Sequence, residues 1–362
     1  MKKKKRKFKL KIFILTIIIL GIGWFLIFAK TDREDLDNPY NLALSEFITD
    51  ESIIRLLTER EFSKTVERAL LTNNFIYKHA EEYFKIDYVE KENFFSIINT
   101  LLDLGYCGDD VNYILTLKPE DITIFKNEFI DLSEFRGIRN FEAGNIARYH
   151  AFRVLNPTLS MADVVTRVNI GLDRPFYTNI REVEDPYSIT VLVNKFKKLP
   201  SNFSPSDLIN VPGQGTFRLR REASENIVEM LEAARRDGHI INIWSAYRSY
   251  SAQTRIYNNF VSRYGREAAD TFSARPGHSE HQTGLSADLG SGSSTIINIA
   301  DQNWLINNAH RFGFIVRYTE SGVPITGYMS EPWHVRYVGV RVATNIFNRN
   351  ITFDEYWDLY LK

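Results

Sequence analysis

Gly277-His-Ser-Glu-His-Gln-Thr-Gly-Leu-Ser-Ala-Asp-Leu-Gly290 is the stretch around which this 362-residue chain is organised, and Ser330-Glu-Pro-Trp-His-Val-Arg-Tyr337 is its complement. The first offers His281 and Asp288, an imidazole and a hard carboxylate separated by a turn that contains Gly284. The second offers His334, with Glu331 three residues before it. Two histidines and one carboxylate are a common ligand set for catalytic Zn²⁺, which keeps its fourth position for water. Glu331 is then a spare acid beside the metal. A hydrolase needs such a group to take a proton from water and pass it to the leaving amine. A lone histidine is more often structural, and Glu-x-x-His recurs by chance, so the combination carries the reading.

That combination resembles the signature of the VanY-type zinc D-alanyl-D-alanine carboxypeptidases and their relatives, the D-Ala-D-Ala dipeptidases and the L,D-carboxypeptidases. The family pattern is S-x-H-x-x-G-x-A-x-D followed by E-P-W-H. Ser279, His281, Gly284 and Asp288 match its first half, and Glu331, Pro332, Trp333 and His334 match its second. Ser286 stands where the family usually has Ala. The resemblance covers roughly residues 188–345. It implies a hedgehog/DD-peptidase-like α+β domain with a small antiparallel sheet and the zinc on one face. His281, Asp288 and His334 would be the ligands and Glu331 the acid and base.

Tyr247-Arg248-Ser249, with Gln253 five residues after the arginine, resembles the family's substrate-binding segment. The resemblance implies that Arg248 and Gln253 grip the terminal carboxylate or the carbonyl oxygen, and that Arg248 also stabilises the oxyanion. A planar guanidinium suits a carboxylate better than an ammonium does. Ser279 resembles the residue that holds the substrate backbone. His278 and Trp333 read as neighbours that pack against the site or steady a ligand. His239 and His310 read as structural.

Forty-five Lys and Arg balance forty-five Asp and Glu, so the formal charge is zero and nothing points to nucleic acid as a partner. The balance hides a basic head, with Lys2, Lys3, Lys4, Lys5, Arg6, Lys7, Lys9 and Lys11 within residues 1–11. Behind it, residues 12–29 (IFILTIIILGIGWFLIFA) form an uncharged apolar run of eighteen residues. That is near the minimum for a transmembrane helix, and the basic cluster predicts a cytoplasmic N-terminus with the rest outside the cell membrane. A cleaved signal peptide is the alternative. The run is long for one, and no small-x-small pattern lies near Ala29, so a retained single-pass signal anchor is the expectation. Cys107 is the only cysteine, so no intramolecular disulfide and no cysteine zinc site exist.

From residue 30 to 135 the apolar residues recur at spacings of three and four, as in Ile53, Leu56, Leu57 and again in Phe94, Ile97, Ile98, Leu101. This predicts a mainly helical membrane-proximal domain. Residues 136–187 read as a connector with turns at Asn156-Pro157 and Asp185-Pro186 and a short helix over 161–168. The catalytic domain is expected over 188–362. It begins with an extended segment over 189–195, followed by a helix over 224–236, a buried strand over 240–244 and a helix ending at Tyr264. Further on come strands over 285–289, 314–318 and 333–338, a helix over 303–311 and two closing helices. Strands mixed with helices, without a βαβ repeat, predict α+β.

The leading functional expectation is a membrane-anchored zinc carboxypeptidase that trims the C-terminal D-Ala of peptidoglycan stem peptides. An L,D-carboxypeptidase and a D-Ala-D-Ala dipeptidase of the same family are alternatives; the dipeptide is cytoplasmic, which sits badly with a signal anchor. From a different class, a non-catalytic zinc-stabilised wall-binding module would need neither Glu331 nor Arg248.

Overall fold

The computed structural model describes residues 63–72 and 74–362. They fall into two compact units divided between Arg136 and Gly137. The first unit is helical: α1 (Lys64–Leu71), α2 (Ala80–Lys85), α3 (Phe94–Asp103), α4 (Gly108–Leu115) and α5 (Pro119–Asn127). Phe94, Ile97, Ile98, Leu101 and Leu102 bury one face of α3, as their spacing predicts. His79 in this unit bonds Asp103 at 2.8 Å and is structural.

The second unit opens with α6 (Ile146–Leu155) and α7 (Met161–Asn169), the latter capped by Ser160 accepting from the Asp163 amide. Two short ribbons follow: β1 (Arg181–Glu182) parallel to β2 (Lys197–Lys198), and β3 (Leu208–Asn210) antiparallel to β4 (Arg218–Arg220). Next come α8 (Arg221–Arg236), β5 (Ile241–Ser245), α9 (Tyr250–Tyr264), α10 (Arg266–Ala269) and β6 (Ser286–Ser291). The chain finishes with α11 (Ile299–Asn308), β7 (Phe314–Tyr318), α12 (Val323–Thr326), β8 (Glu331–Tyr337), α13 (Val340–Arg349) and α14 (Phe353–Tyr360).

The main sheet has the order β5-β6-β8-β7, every pair antiparallel. Ala223, Ile227, Met230, Leu231 and Ala234 make α8 apolar along one side, and that side joins Ile241, Ile243, Ala287, Leu289 and Val335 of the sheet in the larger core. A second cluster gathers Ile315, Val342, Ala343, Ile346, Phe353 and Tyr356 from β7, α13 and α14.

The expected architecture needs correction. The described residues form a mixed α/β structure with three small sheets, one of them parallel, where a single small antiparallel sheet was expected. None of their helices is long and apolar enough to cross a membrane. The apolar run at 12–29, read above as a transmembrane helix, lies outside the described residues, as do the basic head and the periodic positions 53–57. Residues 189–195 are not a strand either. Asn194 Oδ1 accepts from the amides of both Phe196 and Lys197, each at 2.9 Å, and so turns the chain where β-rich composition suggested extension. The segment 137–187 belongs to the second unit: Asn140 and Asn169 both donate to Asp358 Oδ2 on α14.

Gly284 holds the loop that leads into β6. Its φ is +69°, and an added Cβ would stand 2.8 Å from Leu208 Cδ2 and 3.0 Å from Arg220 Cγ. Gly284→Ala should therefore combine left-handed backbone strain with overpacking, a loss of roughly 2–4 kcal/mol. Urea unfolding followed by circular dichroism checks this; a midpoint within error of the parent would mean that the loop yields freely.

Candidate metal centre

Three elements deliver the donors. β6 carries Asp288, and β8 places His334 directly opposite it in the antiparallel register. His281 comes from a 3-10 turn, Glu280–Thr283, which Gly284 ends in the left-handed region. One ligand atom from each of the three lies within 4.8 Å of the others.

The ring nitrogens divide their tasks. His281 Nδ1 lies 2.7 Å from the Ala246 carbonyl, which only accepts, so Nδ1 carries the hydrogen. Its Nε2, 3.2 Å from Asp288 Oδ2, then presents a lone pair to the site. His334 Nδ1 lies 3.0 Å from Asp288 Oδ1, while its Nε2 faces Glu280 Oε2 at 3.4 Å. Two imidazole nitrogens and a carboxylate oxygen converge, and each ring's outer nitrogen has a fixed acceptor. That donor set and that support fit zinc.

Burial alone would raise the Asp288 carboxyl, but His281 and His334 outweigh it and hold it well below its ordinary value. Burial pushes His281 down, so its ring is neutral. His334 differs. Burial would lower it too, yet its bonds to Asp288 and Glu280 hold it up, at about 9.

Glu331 enters from the start of β8 with Oε2 3.8 Å from His334 Nδ1. Burial pushes its carboxyl up, to about 7, against the pull of His334. Arg248 approaches from the segment between β5 and α9. Its Nη2 lies 2.9 Å from Ser245 Oγ and 3.6 Å from Asp288 Oδ2, and its Nη1 donates to Gln253 Oε1 at 2.8 Å. Gln253 is buried, and its Nε2 donates to the Ala274 carbonyl at 2.7 Å. Both ends of that amide are used within the protein, so Gln253 orients Arg248. Ser279 is buried immediately before the ligand turn.

The remaining sequence candidates lie around this centre or away from it. His278 is buried with Nδ1 2.8 Å from the Asn194 carbonyl, and burial lowers it to about 4, so it is neutral and structural. Trp333 is 38 % exposed on the strand that carries His334. His239 bonds Asp301 at 2.7 Å, and His310 stacks on Phe347 with ring centroids 3.9 Å apart. Sequence reasoning missed Glu280, Arg317 and Arg336. The available signal was Arg317 inside a strand pattern that is otherwise apolar, a placement that needs a buried anion.

Comparison with known proteins follows from this geometry. The family model described as VanY, D-alanyl-D-alanine carboxypeptidase, matches residues 216–340. YodJ of Bacillus subtilis (strain 168), an inferred carboxypeptidase, is 36 % identical over 211 residues, which cover 53 % of this chain and 77 % of that protein. A D-alanyl-D-alanine carboxypeptidase of Enterococcus faecalis (strain ATCC 700802 / V583) is 33 % identical over 175 residues, 46 % of this chain and 64 % of the relative. Among solved structures, a mutant of the vancomycin resistance D,D-pentapeptidase VanY in complex with Zn(II) aligns with a TM-score of 0.44 at 32 % identity, over 48 % of this chain and 99 % of that one.

A cation at these donors must displace the His334 proton from Nδ1, whereas neutral His281 has none to give up. Zinc affinity should therefore rise by about tenfold per pH unit between about pH 6 and pH 9 and level off above. Titration calorimetry in buffers of different ionisation enthalpy should show about one proton released near pH 7. His281→Ala and His334→Ala should each lose the metal; full zinc occupancy in both would remove the assignment.

Proposed function

The chain belongs to the VanY family of D-alanyl-D-alanine carboxypeptidases, and from that premise we propose that it removes the C-terminal D-Ala of peptidoglycan stem peptides, with zinc held by His281, Asp288 and His334. The observation that carries this reading is convergence. The three donors, a buried carboxyl 3.8 Å from His334 and a guanidinium 3.6 Å from Asp288 meet at one end of the sheet. A wall-binding module would need only the donors.

Zinc bound there supplies Lewis acidity and makes water easier to deprotonate. Glu331 takes the proton of the attacking water on its carboxylate and returns it to the departing amine. A carboxyl already raised by burial suits both directions of transfer. Arg248, locked by Gln253 and Ser245, presents its fork to the substrate's terminal carboxylate or to the oxygen on which charge develops. Ser279 is assigned to the substrate backbone on family resemblance. A stem-peptide substrate calls for a catalytic unit on the cell-wall side, and that location is part of the proposal.

Glu331→Gln keeps shape and metal but cannot move a proton, so kcat should fall at least ~10²-fold with zinc retained. Arg248→Lys keeps charge but loses the planar fork, and its defect should be greatest on peptides with a free terminal carboxylate. Both are read as free D-Ala released from pentapeptide stems, with and without C-terminal amidation. Near-normal turnover by zinc-loaded Glu331→Gln would rule out the acid/base role. Equal cleavage of free and amidated peptides by the parent would rule out a carboxypeptidase.

A further inference from the structure

Glu280 lies inside the ligand-bearing stretch, yet it is 1 % exposed and turns its carboxylate to the far side of His334. Two arginines hold it there: Arg317 Nε donates to Oε1 at 2.8 Å and Arg336 Nη1 donates to the same oxygen at 3.1 Å. Oε2 is left for His334 Nε2. Arg317 then reaches α14, with Nη1 2.8 Å from Asp354 Oδ2. Asp354 Oδ1 accepts from Asn194 Nδ2, also at 2.8 Å. Glu280, Arg317, Arg336 and Asp354 are all buried, two cations against two anions.

An isolated buried carboxylate beside an imidazole is not a stable arrangement, because it escapes its desolvation by taking a proton. Two arginines remove that tendency but leave a surplus positive charge next to a cation site. Asp354 cancels the surplus. With Oε1 accepting from both arginines, Oε2 faces His334 Nε2 at 3.4 Å, and the ring is held with Nδ1 toward Asp288 at 3.0 Å.

We infer that Glu280 is the positioning residue of His334, and that α14 is part of the metal centre through Asp354 and Arg317. The inference rests on the metal reading above and adds to it a chain of contacts running from the last helix to a ligand. A purely structural quartet would hold α14 against the sheet and leave the metal indifferent to its members.

The test uses the full chain as parent, Glu280→Gln and Asp354→Asn, each stripped of metal. Zinc affinity is measured by competition with a chromophoric chelator, ligand geometry by the visible bands of the Co²⁺-loaded protein, and folding by thermal circular dichroism. Glu280→Gln should weaken zinc binding by roughly 10–100-fold and shift the Co²⁺ bands. Asp354→Asn, which touches no ligand, should act in the same direction and by less. A parent that binds no zinc removes the metal reading itself. A parent that binds zinc, with equal affinity and identical Co²⁺ bands in folded Glu280→Gln, overturns this inference alone. Should Glu280→Gln fail to fold, Asp354→Asn decides: weaker zinc binding at an unchanged melting temperature supports the link to α14, and unchanged binding overturns it.

Discussion

The register between β6 and β8 is the constraint on which the rest depends. Asp288 faces His334, Ala287 faces Val335 and Ser286 faces Arg336. Because side chains alternate across a strand, Asp288, His334, Ser286 and Arg336 share one face, while Ala287 and Val335 enter the core with α8 on the other. A slip by one residue would send the ligands into that core and the valine to the site. The same pairing brings β7 alongside, with Ile315 opposite Arg336, so that Arg317 lies on the ligand face too.

One face of this sheet is thus apolar and the other is charged but dry. Such a face is tolerable only when its charges are matched and covered. Matching comes from Glu280 and Asp354. Cover comes partly from Phe353, whose ring lies 5.6 Å from the Arg317 guanidinium and 5.4 Å from that of Arg336. Glu331 and Arg248, the groups proposed to meet substrate, stand at the edge of this dry region.

How much of this was legible in the sequence follows from how local each signal is. The strand at 314–318 and the helices closing the chain were readable from apolar spacing alone, and the structure brings together His281, Asp288 and His334 as their motif spacing suggested. Arg248 stood out through the segment Tyr247-Arg248-Ser249 and its resemblance to a substrate-binding motif. Gln253 was read as gripping substrate, and the contacts that tertiary structure adds, to Arg248 and to the Ala274 carbonyl, could not be read from its spacing. The turn at Asn194 was hidden because a side-chain oxygen overrode a β-rich composition. Glu280 was hidden for a different reason: its partners Arg317 and Arg336 lie 37 and 56 residues away, and no local pattern announces a pairing at that distance.

The tie between the ends of the second unit also has a consequence for how the molecule is made. Asn140 bonds Asp358 across 218 residues, and Asn194 bonds Asp354 across 160. Contacts of such sequence separation form late, since the loop they close must be ordered first. During synthesis the growing chain holds His281 and Asp288 long before the helix that neutralises Arg317 has emerged. Until that helix packs, Arg317 lacks Asp354 and the charged face stays unmatched, so native packing of this unit waits for α14. If α14 steadies His334 through Arg317 and Glu280, metal capture follows the docking of that helix and becomes one of the last events of assembly.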